Sequence, residues 1–414
     1  MRYLVLGRGL QGSACAYDLL RQPGTTQVRL ADVSVGPLPP FLPADDARLV
    51  PVALDVRDHD AVRREYAQVD AVLSAIPYYF NGPLAALAVE IGVHFADLGG
   101  NTEIVFEQQR LHEAAAAKGV SIVPDTGLAP GMANVLAEHG IRQLDTVESV
   151  KLFVGGLPQH PEPPLNYQIV YSIEGVLDYY TTLSWIVRGG ERVQVEALSE
   201  IESVSFDAPV GTLEAFHTAG GLSTMAWRHA SRIPSMEYKT LRYPGHAQLM
   251  RDIRALGLLD TTPVEVGGCT VTPRDAFIAT VGPRLRKPGG RDLVALRVEV
   301  RGTQGGTAAL RRFDLLDRYD EATGITAMMR DHGALHGRAP RAGRRAHDGR
   351  RAPRSRLHRG AGDARDRDPR IDGVTRRALR APDRCPQCVV DGVPCQAAVA
   401  SSVQAATTRS RPPC

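Results

Sequence analysis

No stretch of the 414-residue chain reaches the roughly 20 consecutive apolar residues that a membrane-spanning helix needs. The opening MRYLVLGRGLQG has a very short apolar run followed by glycines and no small-residue cleavage site, so it does not read as a secretory signal. Cysteine is scarce: only Cys15 and Cys269 fall within 1–330, too few for a disulfide framework and in keeping with a reducing compartment. Together these absences predict a cytoplasmic protein.

The last 84 residues lack Phe, Tyr, Trp, Lys and Glu altogether. They hold 18 Arg and 8 Asp, a charge of +10, so the overall +3 hides −7 over residues 1–330. Such a composition cannot bury enough apolar area to offset chain ordering, which predicts disorder over 331–414. An arginine-rich nucleic-acid arm is the alternative, but it lacks the aromatics that stack on bases, and no nucleic-acid partner is expected. The change after GITAMMR (324–330) is abrupt, and its vocabulary of Arg, Ala, Pro, Gly and His is that of a GC-rich gene read in the wrong frame. Residues 331–414 read as a frameshifted ending. Cys385, Cys388 and Cys395 resemble half a zinc site without a fourth ligand at a recognisable spacing, and no metal is expected.

What is present begins at once. Residues 2–6 (RYLVL) read as a strand, Gly7-Arg8-Gly9-Leu10-Gln11-Gly12 follows, and 13–22 read as a helix. This is G-x-G-x-x-G between strand and helix, where Gly7 permits the turn, Gly9 lets backbone approach a pyrophosphate and Gly12 lets helix and strand pack closely. A second strand (27–32) ends in Asp32, placed to accept hydrogen bonds from ribose hydroxyls and to repel a 2′-phosphate, so NAD is expected over NADP. Strands over 47–56, 70–77, 94–100 and 120–127 alternate with helices over 59–68, 82–92 and 103–119, the rhythm of a doubly wound parallel sheet. Ligands sit beyond the carboxyl ends of such strands. Those ends place Asp55 near the adenine or at a helix start, Pro77 and Tyr78 against the dinucleotide, Gly99 and Gly100 where backbone approaches the nicotinamide, and Asp97 and Asp125 facing the cleft. From about residue 130 the rhythm stops. A strand over 148–157 runs into a Gly-Gly turn, and 291–302 with 307–320 read as an antiparallel hairpin. The expected organisation is α/β: a Rossmann NAD-binding domain over 1–130, then an α+β, mostly antiparallel substrate domain over 131–330.

YYFN (78–81), DLGGN (97–101), PDTGLAPGMAN (124–134), VGGLPQHPEPPLNY (154–167), SIEGVLDYY (172–180), LEAFHTAGG (213–221) and EYKTLRYPGH (237–246) together resemble the saccharopine dehydrogenase family, from Met1 to about Arg330. Within it the likeness is strongest to the lysine 6-dehydrogenase branch. The resemblance implies NAD-dependent oxidative deamination of L-lysine at the ε-carbon, with the semialdehyde cyclising to piperideine-6-carboxylate. It also implies a homo-oligomer whose C-terminal helices pack back on the first domain, a pattern from which the present ending departs. An oxidoreductase acting on a larger amine–acid conjugate such as saccharopine is the alternative, and a non-catalytic NAD-binding protein a second one.

That chemistry requires a neutral amine at the carbon that loses hydride, so an ammonium with a reference pKa near ~10.4 must give up its proton in place. Asp97 and Asp125 are candidate acceptors, and His217 and His246 candidate relays. The substrate carboxylate needs a cation, for which Arg242, aimed by the Pro244-Gly245 turn, is the first choice and Lys239 the second. Tyr167 and Glu174 are expected to bind the α-amino group, and Tyr179 and Tyr180 to form an aromatic wall or core.

Overall fold

The computed structural model describes residues 1–333. The expectations for the arginine-rich ending and its cysteines lie outside that range, except that 331–333 continue the last helix.

The first layer comprises β1 (Arg2–Leu6), α1 (Leu10–Leu20), β2 (Gln27–Asp32), β3 (Leu49–Ala53), α2 (His59–Tyr66), β4 (Ala71–Ser74), α3 (Asn81–Ile91), β5 (His94–Asp97), α4 (Thr102–Gln109), α5 (His112–Lys118) and β6 (Ile122–Val123). The strands form one parallel sheet in the order β3-β2-β1-β4-β5-β6. Strand alternation explains its two covered faces. Val5, Leu30 and Leu73 join Cys15 and Leu19 of α1 on one side, while Leu4, Leu6, Val72 and Phe95 join Val62 of α2 and Leu84 of α3 on the other. Strand order reverses between β1 and β4, so their carboxyl ends open a crevice.

Every expected strand of this layer after β2 is shorter than the pattern suggested, and two elements differ most. The helix over 103–119 breaks into α4 and α5, and Leu111 at the break packs with Val89, Ala115 and Val120. The strand over 120–127 pairs only at Ile122 and Val123. Pro124 then supplies no amide, and Asp125 turns left-handed at φ 57°.

The second layer comprises α6 (Met132–Ile141), β7 (Thr146–Pro158), α7 (Ile173–Thr181), β8 (Ser184–Arg188), β9 (Glu191–Val195), β10 (Glu202–Ser205), β11 (Thr212–His217), α8 (Met225–His229), β12 (Ser235–Arg242), α9 (His246–Ala255), β13 (Val264–Val266), β14 (Cys269–Val271), α10 (Pro273–Leu285), β15 (Asp292–Gln304), β16 (Thr307–Arg318) and α11 (Ala327–Gly333). Its main sheet runs β10-β11-β12-β7-β15-β16, with β8 and β9 branching from β12, and only β12 with β7 is parallel. The hairpin closes at Gly305-Gly306, as its sequence predicts. Gly155 and Gly156, by contrast, make no turn; they lie inside β7. Close packing is the reason. A Cβ at 155 would lie 2.6 Å from Leu241 O, and one at 156 would lie 2.1 Å from Met328 Cε.

The chain then returns to the first layer. Ile325 and Met329 pack on Ala14, Tyr17 and Phe41. The start of α11 is held by fully buried Asp292, which accepts from the amides of Ala327 at 2.7 Å and Met328 at 2.9 Å. Among the described residues no helix is long and apolar enough to cross a membrane.

Candidate active site

The glycine loop lies at the crevice between β1 and β4. Gly7 is left-handed at φ 94°, and a Cβ there would meet Ala75 O at 2.5 Å; a Cβ on Gly12 would meet Gly7 O at 1.8 Å. Gly9 is the N-cap of α1 and has no side chain to offer the first-turn amides, while no acid occupies that turn. Such an N-terminus suits a phosphate. Asp32 overhangs the loop: its Oδ2 accepts from the Arg8 amide at 2.8 Å and its Oδ1 from the Val33 amide at 2.7 Å. The Arg8 guanidinium donates to Gly36 O, Leu10 is exposed, and the Gln11 side chain is fully buried. These residues fit a dinucleotide diphosphate with its ribose on Asp32. Asp55 is tied to Arg57 at 2.6 Å, and Asp58 rather than Asp55 caps α2.

Below the crevice a cavity of about 320 Å³ opens between the layers, lined by Pro77, Tyr78, Gly99 and Gly100 from the first and Tyr179, Trp185 and Ser223 from the second. A smaller neighbouring cavity of about 70 Å³ shares Gly99, Tyr171 and Tyr179 as walls and is also lined by the buried Thr218, Thr240 and Arg242. Strand alternation puts Tyr238, Thr240 and Arg242 of β12 on this side. Arg242 is 2% exposed. Its guanidinium lies over the Tyr167 ring at 4.8 Å, and its Nε donates to Tyr180 Oη at 3.1 Å. No carboxylate among the described residues pairs with it. The larger cavity has the opposite character: its charged lining side chains are Glu103 and Asp178, with no Lys, Arg or His.

Behind the cavity lie two carboxyl groups at adjacent strand ends. Asp97 is 1% exposed and holds the loop above it, accepting from the Gly99 amide at 2.7 Å and from Gln108 Nε2. Burial pushes its pKa up to about 6. Asp125 accepts from Ser223 Oγ through Oδ2, while its Oδ1 is buried without a partner among the described residues. Burial pushes Asp125 up to about 7, with the Ser223 hydroxyl opposing and the Asp97 charge adding to the rise. Gly99 is obligatory here, since a Cβ would lie 1.9 Å from Asp125 Oδ1. Neither carboxyl group lines the cavity, so the expectation that both face the cleft is corrected: Asp97 braces the loop, and Asp125 sits one layer back behind Ser223.

Other expectations are corrected by strand and helix geometry. Lys239 and its register partner His217 lie on the opposite sheet face from Arg242, in a network where Lys239 Nζ meets Glu202 at 2.7 Å and His217 Nε2 lies 3.3 Å from Glu200. Burial, then Lys239, hold the His217 pKa below its usual value. His246 starts α9 inside the core, its Nδ1 2.9 Å from Leu165 O and its Nε2 3.0 Å from Tyr180 Oη. Burial, then Arg242, push it down to about 3, leaving a neutral ring that meets no cavity. Tyr167 is a platform under Arg242 rather than a cavity residue. On α7 the cavity face is Ser172, Gly175, Asp178, Tyr179 and Thr182, so Glu174 points aside. Tyr179 is wall and Tyr180 is core. The i, i+3 spacing of Ser172, Gly175 and Asp178 was available in the sequence; nothing there marked Ser223.

Fold and loop define a two-layer dinucleotide-binding protein. Residues 3–123 match the family model of the saccharopine dehydrogenase NADP binding domain, and 127–335 that of the saccharopine dehydrogenase C-terminal domain. The chain belongs to the saccharopine dehydrogenase family. It is 25% identical over 228 residues to the alpha-aminoadipic semialdehyde synthase of Arabidopsis thaliana, covering 52% of this chain and 21% of that protein. It is likewise 25% identical over 225 residues to the L-glutamate-forming, NADP-linked saccharopine dehydrogenase of Schizosaccharomyces pombe, covering 52% and 49%. The chain thus spans about half of the fission-yeast relative and about a fifth of the plant one. The apo saccharopine dehydrogenase (L-Glu forming) of Saccharomyces cerevisiae shares the fold at TM-score 0.63 and 18% identity, over 80% of this chain and 88% of that one. The NAD complex of the homospermidine synthase of Legionella pneumophila does so at 0.54 and 11%, over 79% of each.

Proposed function

We propose that the protein oxidises the distal amine carbon of a monocarboxylic amino acid, L-lysine by this reading, with NAD as acceptor. The carrying observation is the cavity's charge layout. Among the described residues, a buried guanidinium without a carboxylate partner lines the smaller cavity, and the charged side chains lining the larger one are Glu103 and Asp178, the latter paired with Arg274 at 2.6 Å. That layout suits the carboxylate of an amino acid at Arg242 and its distal ammonium at the acids. Saccharopine brings three carboxylates, and two of them would lack a cation in this cavity.

When bound, the oxidised dinucleotide supplies the hydride acceptor. The protein's own contribution is placement: Arg242 holds the carboxylate, Tyr171 and Tyr179 wall the chain, and the Gly99-Gly100 loop permits close backbone approach. Asp125 is the basic group for the ammonium's proton. Asp32 favours NAD, because its carboxylate opposes a 2′-phosphate; the NADP named for the relatives makes this a direct test.

Incubating the protein with L-lysine or saccharopine and either coenzyme, and following absorbance of the reduced nicotinamide, tests both points. Lysine with NAD is expected to react fastest. Turnover of saccharopine and not lysine replaces the substrate reading with that of the conjugate-splitting relatives.

A further inference from the structure

We propose that Ser223 is the catalytic group that takes the proton from the substrate's ammonium and passes its own to Asp125. The inference rests on the amine-oxidising reading above. Ser223 lines the larger cavity, whereas Asp125 does not, and the Ser223 hydroxyl donates to Asp125 Oδ2 across the two layers. A proton passing from that cavity to Asp125 therefore meets Ser223 first.

Both residues are held in conformations that non-glycine residues adopt at a cost: φ is 57° at Asp125 and 47° at Ser223. The surroundings enforce them. Ser223 N donates to Gly220 O at 3.0 Å, closing a tight turn. Asn134 Nδ2 donates to Gly221 O at 3.1 Å and Leu222 O at 3.2 Å, clamping that turn onto α6. The turn also presses on the Tyr238 ring, where a Cβ at Gly221 would come within 2.4 Å. The hydroxyl is thus aimed by packing on one side, and Gly99 leaves room for the carboxyl group on the other.

A hydroxyl both accepts and donates, so one serine can pass a proton without a net change of its own. The ammonium N–H bond breaks as a new O–H bond forms on Ser223 Oγ, and the original Ser223 proton bonds to Asp125 Oδ2. The products are a neutral amine with its lone pair, an intact serine and a protonated Asp125. The groups facing Asp125 are Asp97 on β5 and Tyr179 on α7, besides Ser223 itself. Neither is a cation, so Asp125 keeps enough basicity to hold a proton near neutrality.

The test measures kcat/KM against pH for the full chain with NAD and an oxidisable amine, in wild type, Ser223→Gly, Ser223→Asn and Asp125→Asn. Glycine and asparagine tolerate a positive φ, and the asparagine amide can still donate to Asp125 without passing a proton. Wild type is expected to lose activity below a limb near about 7. Both Ser223 variants should lose about 10²–10⁴-fold in kcat and move the limb towards the ammonium's own ~10. Unchanged NAD affinity in Ser223→Gly serves as the folding control. The infrared band of a protonated carboxyl group should appear when amine binds to wild type, and be absent in Ser223→Gly and Asp125→Asn. A Ser223→Gly enzyme with wild-type kcat and limb overturns the relay alone. Turnover of another primary amine but not lysine overturns the substrate reading, and the relay is then measured on that amine. No turnover of any amine by wild type overturns both.

Discussion

The Arg242 guanidinium lies 4.8 Å above the Tyr167 ring, and its Nε donates to Tyr180 Oη, so two tyrosines hold a buried cation that no carboxylate among the described residues neutralises. The aromatic face and hydroxyl offset part of the desolvation of the charge. With Nη1 donating to Leu241 O at 2.8 Å, Nη2 is the group left for an anion of the substrate.

Arg242→Ala should therefore raise the substrate KM by roughly 30- to 150-fold, the equivalent of about 2–3 kcal/mol for a lost charge-assisted hydrogen bond. NAD affinity should stay within a factor of about two. Steady-state kinetics beside calorimetry with the coenzyme separates the two effects.

Gly12→Ala should abolish coenzyme binding. The new methyl would sit 1.8 Å from Gly7 O, so the loop must open before the helix can pack. Titration calorimetry reads the loss, and circular dichroism checks that the remaining sheet is intact.

Asp32→Ser should move coenzyme preference towards NADP. Removing the carboxylate above the Arg8 amide removes its repulsion of a 2′-phosphate, and a swing of about tenfold or more in the ratio of kcat/KM values is expected. An unchanged ratio would show that Asp32 does not read the ribose.

Asp292→Ala should loosen the returning helix α11 and lower the melting temperature. Burial pushes Asp292 up to about 6, above an unfolded value of about 3.9. Its stabilising contribution is therefore fully present below about pH 4 and declines as pH rises through about 6. The gap between wild type and variant should be widest near pH 4 and narrow by about 2 kcal/mol towards pH 7, which denaturant titrations at the two pH values can resolve.

Much of the fold was legible because its signals are local. The glycine loop, the acid ending β2 and the strand–helix rhythm each depend on neighbours within a few residues, and each stands where its spacing says. Arg242 does line a cavity, but the alternation of β12 and not the adjacent Pro-Gly turn directs it there. The errors have one origin. Lys239 and Arg242 share a short motif, but strand alternation turns them to opposite faces; His246 carries a reactive ring, yet its helix seats that ring in the core. Gly155-Gly156 reads as a turn until Leu241 and Met328 arrive beside it.

The order of residues alone determined that a phosphate-binding loop opens the chain, that a parallel sheet follows and that a second, differently built layer covers it, since backbone preference and apolar periodicity act over short range. Only the assembled layers decided which polar groups share a cavity. Asp125 and Ser223 are 98 positions apart, and their hydrogen bond exists because packing on both sides holds each in a left-handed conformation that neither local sequence favours.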